Sequence, residues 1–171
     1  MKNVSKAAVA LVFLATIIFY ALWYPHLPDM VPSRFGHGGA VNQQMARNSF
    51  VSLMGGITLG ILVGFSILLP LLIRVMPISM INVPYREYYM SGDRRESTIA
   101  KLTDMVRWTA IVTALLLLSI SHLSFEVATE VRNTISPYFG IAFTIYMLVV
   151  AILVIRILLD FRKPPEIEAH S

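Results

Sequence analysis

The chain has 171 residues, of which 56% are hydrophobic and only 14% are charged. A soluble domain is closer to a quarter charged and could not bury so much apolar surface, so the composition predicts an integral membrane protein with a single domain, residues 1–171. Its formal charge of +4 comes from basic residues that lie between apolar segments, and we expect no nucleic-acid partner. The sequence has no cysteine, which excludes disulfides, thiolate metal sites and cysteine nucleophiles.

Four apolar segments are long enough to cross a hydrocarbon core, which takes about 20 helical residues. We predict an all-α fold with four transmembrane helices over residues 4–24, 50–75, 108–125 and 137–159. The first ends in aromatic residues and Pro25 instead of a small-residue cleavage site, so it is predicted to be retained rather than cleaved as a signal peptide. Ser136 and Pro137 predict the start of the fourth helix, and Pro70 is expected to kink the second.

The loop after the first helix, residues 25–49, contains three prolines within eight residues. Prolines at this density predict an extended path, and the closely spaced Gly36, Gly38 and Gly39 predict a tight turn with positive φ. A flexible tether would not need such residues. We therefore expect a folded, Pro/Gly-rich cap over the outer end of the bundle.

The second helix carries small residues at every fourth position, which places them on one face: Ser52, Gly56, Gly60 and Gly64. Small residues let a neighbouring helix backbone approach closely, which drives helix association inside membranes. We expect this stripe to pack inside the bundle, with a homodimer face as the main alternative.

The connection between the second and third helices, residues 76–107, predicts an amphipathic helix at the inner membrane surface that runs into the third span. Asp93 and Glu96 have capping-box spacing, and apolar residues follow them at helical intervals. The basic residues in this segment suit anionic lipid headgroups.

Histidines near the outer face raise the question of a metal site. His122 and Glu126 are four residues apart and share a helix face, and His26, His37 and Asp29 lie in the loop on the same side. Two or three of them could converge on zinc, but they do not repeat a known ligand spacing. We expect no metal and no cofactor, with His122 hydrogen-bonded near the membrane interface.

The positions of lysine and arginine predict the orientation. Eleven of the 14 lie at the N-terminus, between the second and third helices, or at the C-terminal end, and the other three are Arg34, Arg47 and Arg132. Because segments rich in Lys and Arg stay in the cytoplasm, we predict that both termini and the middle connection are cytoplasmic. The expected location is the bacterial inner (plasma) membrane, with multiple passes.

The sequence motifs of common enzymes are missing: there is no Gly-x-Ser-x-Gly, no His-Glu-x-x-His and no phosphate-binding loop. No acidic residue falls in the middle of a span, which disfavours an ion-coupled transporter. We therefore predict that the chain is not an enzyme.

The stretch Leu-Pro-Asp-Met-Val-Pro-Ser-Arg-Phe at residues 27–35, followed by glycines and Asn42, resembles a bacterial membrane domain of unknown function. That domain also forms the start of SdpI-type immunity proteins, which protect producer cells from their own peptide toxin. Its pattern is roughly Leu-Pro-x-x-Pro-x-His and then a glycine and an acidic residue. This chain has Arg34 in place of the histidine and Asn42 in place of the acid. The resemblance covers residues 5–50, and more loosely residues 81–96.

The resemblance implies a non-enzymatic membrane protein that acts by binding, in peptide-toxin immunity or in envelope signal sensing. The expected partners are the lipid bilayer and a peptide or protein in the membrane, and a homo-oligomer is left open. The alternatives are an accessory or structural subunit of a larger membrane complex and, third, an outer-face metal-binding protein. The residues expected to form the recognition surface in the loop are Pro28, Asp29, Pro32, Arg34, Gly38, Gly39 and Asn42.

Overall fold

The computed structural model describes residues 2–131, 133–134, 138–162 and 164. Its main elements are α1 (Lys2–Trp23), β1 (Met30–Phe35), β2 (Val41–Ala46), α2 (Arg47–Val63), a π-helical segment (Gly64–Leu68), α3 (Leu69–Val75), α4 (Arg86–Tyr89), α5 (Arg94–Ala128) and α6 (Tyr138–Asp160). Ser136 and Pro137, the predicted start of the fourth helix, lie outside the described residues.

Within that part of the chain, four helical stretches are long and apolar enough to cross a membrane: Val4–His26, Arg47–Val75, Arg94–Ala128 and Tyr138–Asp160. Each contains one of the predicted apolar segments, because a run of about 20 apolar residues forms a helix that satisfies its own backbone hydrogen bonds in lipid. The prediction of a mostly helical, multi-pass membrane protein is confirmed.

Helix α5 is the centre of the bundle and packs against α1, α2, α3, α6 and β1. Three groups of buried residues follow its length. One lies mid-bundle around Val12, Leu62 and Ala110. A second lies where the β-hairpin meets the helices, here called the hairpin end, and contains Phe125. The third lies at the opposite end, here called the basic end, and contains Ile81, Val83, Met90, Ile99 and Phe161.

The predicted amphipathic segment forms the first turns of α5, which continues without a break into the third span. At about 1.5 Å per residue, the 35 residues of α5 span about 50 Å, which exceeds the hydrocarbon core of about 30 Å. Ile99 is buried against Met90 and Phe161 rather than lying on lipid. The capping box is not formed either: Asp93 makes no side-chain capping bond, because its backbone is already helical (φ −67°, ψ −19°).

Pro70 does not produce a simple break in the second spanning stretch. A proline lacks the N–H donor, and its ring clashes with the carbonyl four residues earlier, which is that of Ser66. The chain widens into the π-helical segment Gly64–Leu68 directly before it, and the N–H of Leu69 bonds the Gly64 carbonyl. The expected kink therefore takes the form of one π turn inside a continuous helix.

The loop after α1 folds as an antiparallel two-stranded sheet, which the all-α prediction lacked. Extended residues around Pro32 pair with β2, and the register shifts on both sides of Arg34. The turn between the strands contains Gly38 and Gly39 at φ +75° and +79°, as the glycine spacing predicted, whereas Gly36 is extended at φ −95°. The prolines predicted the extended path of β1. Its pairing with β2 could not be inferred from the spacing of prolines and glycines, because the sequence of β2 is not typical of a strand.

The small-residue stripe of α2 faces away from the bundle. A Cβ built on Gly56, Gly60 or Gly64 meets no atom within 4 Å. The neighbouring face packs inward instead, with Gly55 against the Tyr20 ring and with Thr58 and Leu62 buried. The prediction that the stripe packs inside the bundle is therefore wrong for the residues described, because the pattern fixes a shared face but not its direction.

Candidate functional site

The hairpin rests on a cluster of aromatic side chains at the hairpin end of the bundle. Phe125 is fully buried at its centre, and four rings lie around it with centroids 5.5–6.1 Å away: Phe19, Tyr20, Trp23 and Phe50. Leu27 and Val31 from the hairpin segment are buried in the same cluster, at 3% and 0% exposure. The hairpin is therefore part of the packed structure and not a loose loop.

Arg47, the first residue of α2, ties the chain leading into β1 to the bundle. Its Nη1 donates to the Leu27 carbonyl at 2.8 Å, and its Nη2 lies 3.7 Å from the Asp29 carboxylate. The guanidinium carbon lies 4.9 Å from the centroid of the Tyr24 ring, and the Arg47 backbone N–H bonds the Asp29 carbonyl at 2.8 Å. These contacts fix both the entry and the exit of the hairpin with a single cation.

The two strands have different environments. In β1, Val31 and Pro32 are buried against the bundle, whereas in β2 the consecutive side chains of Asn42, Gln43 and Gln44 are all exposed. Within the described chain, β2 pairs only with β1, so its other edge presents backbone donors and acceptors. An exposed strand edge of this kind can accept a further extended chain.

Most of the predicted recognition residues do lie in this hairpin or beside it. Pro28, Asp29, Arg34, Gly38 and Asn42 are exposed. Pro32 is buried and therefore seats the hairpin, and Gly39 is only partly exposed. Asn42 has a structural role as well, because a Cβ on Gly36 would meet its amide at 2.6 Å, so the backbone at Gly36 has to pass directly beneath it.

The metal candidates are not gathered at one point. His122 Nε2 lies 3.7 Å from Glu126 Oε1, and the imidazole is flanked by the rings of Trp23 and Phe19 at 5.5 and 6.4 Å. No three His, Cys, Asp or Glu side chains come together in the part of the chain that the structure describes. The His122–Glu126 pair lies at the edge of the aromatic cluster, beside Phe19 and Trp23.

Sequence reasoning missed the buried polar contact beneath the aromatic cluster. The Tyr20 hydroxyl and Ser121 Oγ are 2.8 Å apart, and both side chains are buried. In the sequence, Tyr20 is one of several aromatic residues typical of a membrane interface, so nothing indicated that its hydroxyl would form a hydrogen bond inside the bundle. Arg47 was also missed as a site residue, although an isolated arginine next to a span on the arginine-poor side is an unusual placement.

The hairpin and parts of the two helices that flank it match a known family model. Residues 11–59, which include most of α1, the whole hairpin and the first part of α2, match the family model described as a domain of unknown function, DUF1648. No curated protein and no solved structure is significantly similar to the chain. The resemblance to a domain of unknown function is therefore confirmed over residues 11–59, and its description assigns no activity.

Proposed function

We propose that this chain is a non-enzymatic protein of the bacterial inner membrane that binds a peptide with its β-hairpin. In this proposal the hairpin end faces outwards, and both termini lie in the cytoplasm. Its role is immunity to an envelope-active peptide toxin, or sensing of such a peptide, as the resemblance to SdpI-type proteins implies.

The distribution of charge supports the orientation. The three cytoplasmic segments in this arrangement carry eleven of the 14 basic residues, and segments near spans with many Lys and Arg are retained in the cytoplasm. Arg47 is one of the few on the opposite side, and there it is held by the Leu27 carbonyl and the Tyr24 ring. A structural role of this kind accounts for an arginine outside the cytoplasm.

The observation that carries the proposal is a rigidly seated hairpin whose outer strand has an unpaired edge. Val31 and Leu27 anchor one side in the aromatic cluster, while Asn42, Gln43 and Gln44 remain exposed on β2. A peptide that adds as a third strand gains main-chain hydrogen bonds, and the anchored hairpin loses little entropy on binding.

The test is survival of a toxin-sensitive bacterium that expresses the chain and is challenged with a panel of secreted envelope-active peptides. We expect at least about tenfold higher survival against one of them, because peptide that is bound to the hairpin is withdrawn from its target. Gln44→Lys should reduce that protection, because a lysine on a strand edge opposes pairing with a further strand. Asn133→Lys, an exposed position outside the hairpin, is the control with the same charge change.

Two results would count against the proposal. If expression of the chain is verified and survival does not rise for any peptide in the panel, the immunity role is wrong. If Gln44→Lys protects as well as the unchanged protein, the edge of β2 is not the binding surface. A sensing role would give binding without protection, which photo-crosslinking from position 43 to the added peptide would detect.

A second candidate function is an accessory subunit of a membrane complex, and the outward-facing stripe favours it. Gly56, Gly60 and Gly64 have open space where a side chain would be, so another helix could approach the α2 backbone closely. Small residues at every fourth position are typical of packed helix pairs. Within the described chain, however, no element covers this face.

Gly60→Leu separates this candidate from the first. Because a Cβ at Gly60 meets no atom within 4 Å in the described structure outside its own helix, we expect the isolated protein to lose less than about 0.5 kcal/mol of stability. A close helix contact across the stripe would be lost, and complexes cross-linked in native membranes would disappear. Ala151→Leu on the exposed surface of α6 is the control, because it introduces the same side chain outside the stripe. Unchanged complexes in Gly60→Leu would exclude the stripe as a docking face.

A further inference from the structure

Three basic side chains from separate helices converge at the basic end: Lys6 of α1, Arg74 of α3 and Arg107 of α5 all line the same two cavities. Their side chains make no hydrogen bond or ion pair within the described residues. Three cations that face a shared space and make no ion pair with the acidic residues beside it repel one another unless an anion lies between them. Their arrangement therefore calls for an anionic partner.

The two cavities differ in character and meet at these three residues. One is a groove of about 640 Å³ between α1 and the α2–α3 stretch, whose other lining is almost entirely apolar, including Phe13, Leu62 and Leu71. The other, of about 580 Å³, is polar and is lined by Arg95, Asp93 and Glu96 in addition to the shared cations. Among the described residues that line the groove none is acidic, so the charges there are positive.

The π-helical segment shapes the groove. Ser66 and Ile67 of that segment line it, and Ser66 is only 6% exposed while its Oγ has no hydrogen-bond partner. Arg95 Nε, on the polar side, is also buried without a partner, although its Nη2 donates to the Arg74 carbonyl at 3.4 Å. Unsatisfied buried donors on both sides of the junction are costly unless a ligand meets them.

We propose that this junction is a binding site for one anionic phospholipid of the phosphatidylglycerol type. The phosphate lies among Lys6, Arg74 and Arg107, and an acyl chain occupies the apolar groove. The hydroxyl groups of the headgroup enter the polar cavity, where Asp93 and Glu96 accept hydrogen bonds from them. An amphiphile matches the whole site, since a free anion would leave the groove unfilled and an apolar molecule would leave the cations unpaired.

Native mass spectrometry of the full-length protein in neutral detergent tests the site, with dioleoyl phosphatidylglycerol and dioleoyl phosphatidylcholine as probes. We expect phosphatidylglycerol to bind at least about tenfold more tightly than phosphatidylcholine, and Arg107→Gln to weaken it about fivefold, because one cation near the phosphate is lost. The triple variant Lys6→Gln, Arg74→Gln, Arg107→Gln should lose the preference. Arg156→Gln, on α6 and outside both cavities, removes the same charge and should leave binding unchanged.

A second variant distinguishes a lipid from a free phosphate. Ala10→Phe places a ring in the groove and keeps all the cations, so it should weaken phosphatidylglycerol binding while the wild type and the variant show the same weak affinity for glycerol 3-phosphate. Equal affinities for the two lipids, or an unchanged preference in the triple variant, would overturn the proposal. Glycerol 3-phosphate that binds as tightly as the lipid, or Ala10→Phe without effect, would overturn the lipid assignment. Circular dichroism of each variant verifies that the helices are formed.

Discussion

Replacing Phe125 with alanine is expected to lower the free energy of unfolding by about 2–4 kcal/mol, somewhat less than the roughly 3–5 kcal/mol of core Phe→Ala changes in soluble proteins. Phe125 is fully buried, with Phe19, Tyr20, Trp23 and Phe50 around its ring. The membrane already removes much of this side chain from water, so the change loses little transfer free energy. The remaining destabilisation comes from the cavity and the lost ring contacts. Because the hairpin packs on this ring, its packing against the helices should weaken as well.

The measurement is unfolding of the purified protein in mixed micelles, followed by tryptophan fluorescence, because the Trp23 ring lies 5.5 Å from that of Phe125. Phe143→Ala on α6 is the matched control: the same atoms are removed from a side chain that is 46% exposed. It should cost less than about 1 kcal/mol. An equal cost at the two positions would mean that the aromatic cluster does not hold the hairpin end together.

Replacing Arg47 with methionine is expected to free the hairpin from the bundle. The change keeps much of the apolar stem but removes the bond to the Leu27 carbonyl, the contact with Asp29 and the cation–π contact with Tyr24. A hydrogen bond from a charged donor contributes about 1.5–3 kcal/mol and an exposed cation–π contact about 0.5–1 kcal/mol. The Asp29 contact adds little, because that carboxylate is 97% exposed. A total of about 2–4 kcal/mol should therefore be lost locally.

Hydrogen exchange of the amides in residues 30–46 reports this loss, since protection there depends on the local opening free energy. We expect exchange to be faster by one to three orders of magnitude, at about 1.4 kcal/mol for each factor of ten. Arg34→Met in the same hairpin is the control, because Arg34 is exposed and its side chain makes no contact of this kind in the described structure. If the two variants exchange alike, Arg47 is not what fixes the hairpin. If peptide protection also survives Arg47→Met, then a fixed hairpin is not required for the proposed function.

Local sequence patterns were reliable where the physical requirement is itself local. A span needs a run of apolar residues, and all four were found where hydropathy placed them. The positive φ values of Gly38 and Gly39 followed from glycine chemistry alone. Asp93 shows the opposite case: its spacing to Glu96 fits a capping box, but the backbone angles that decide capping depend on the preceding loop.

Distant contacts were beyond these patterns. Nothing in the sequence around Arg47 points to the Leu27 carbonyl twenty residues earlier, and nothing around Tyr20 points to Ser121. The convergence of Lys6, Arg74 and Arg107 likewise requires three helices to be placed side by side. Each of these features combines residues far apart in the chain, so its geometry exists only after the helices have packed.

By itself, therefore, the sequence determined that this is a multi-pass helical membrane protein with a Pro/Gly-shaped loop after its first span and basic segments that predict its orientation. Only the tertiary structure decided that the loop is a hairpin seated on Phe125, and that the Gly56–Gly60–Gly64 stripe faces outwards. The physical reason is that hydropathy and backbone preferences act within a few residues. The direction of a helix face and the partner of a strand depend on packing between segments, to which every element contributes.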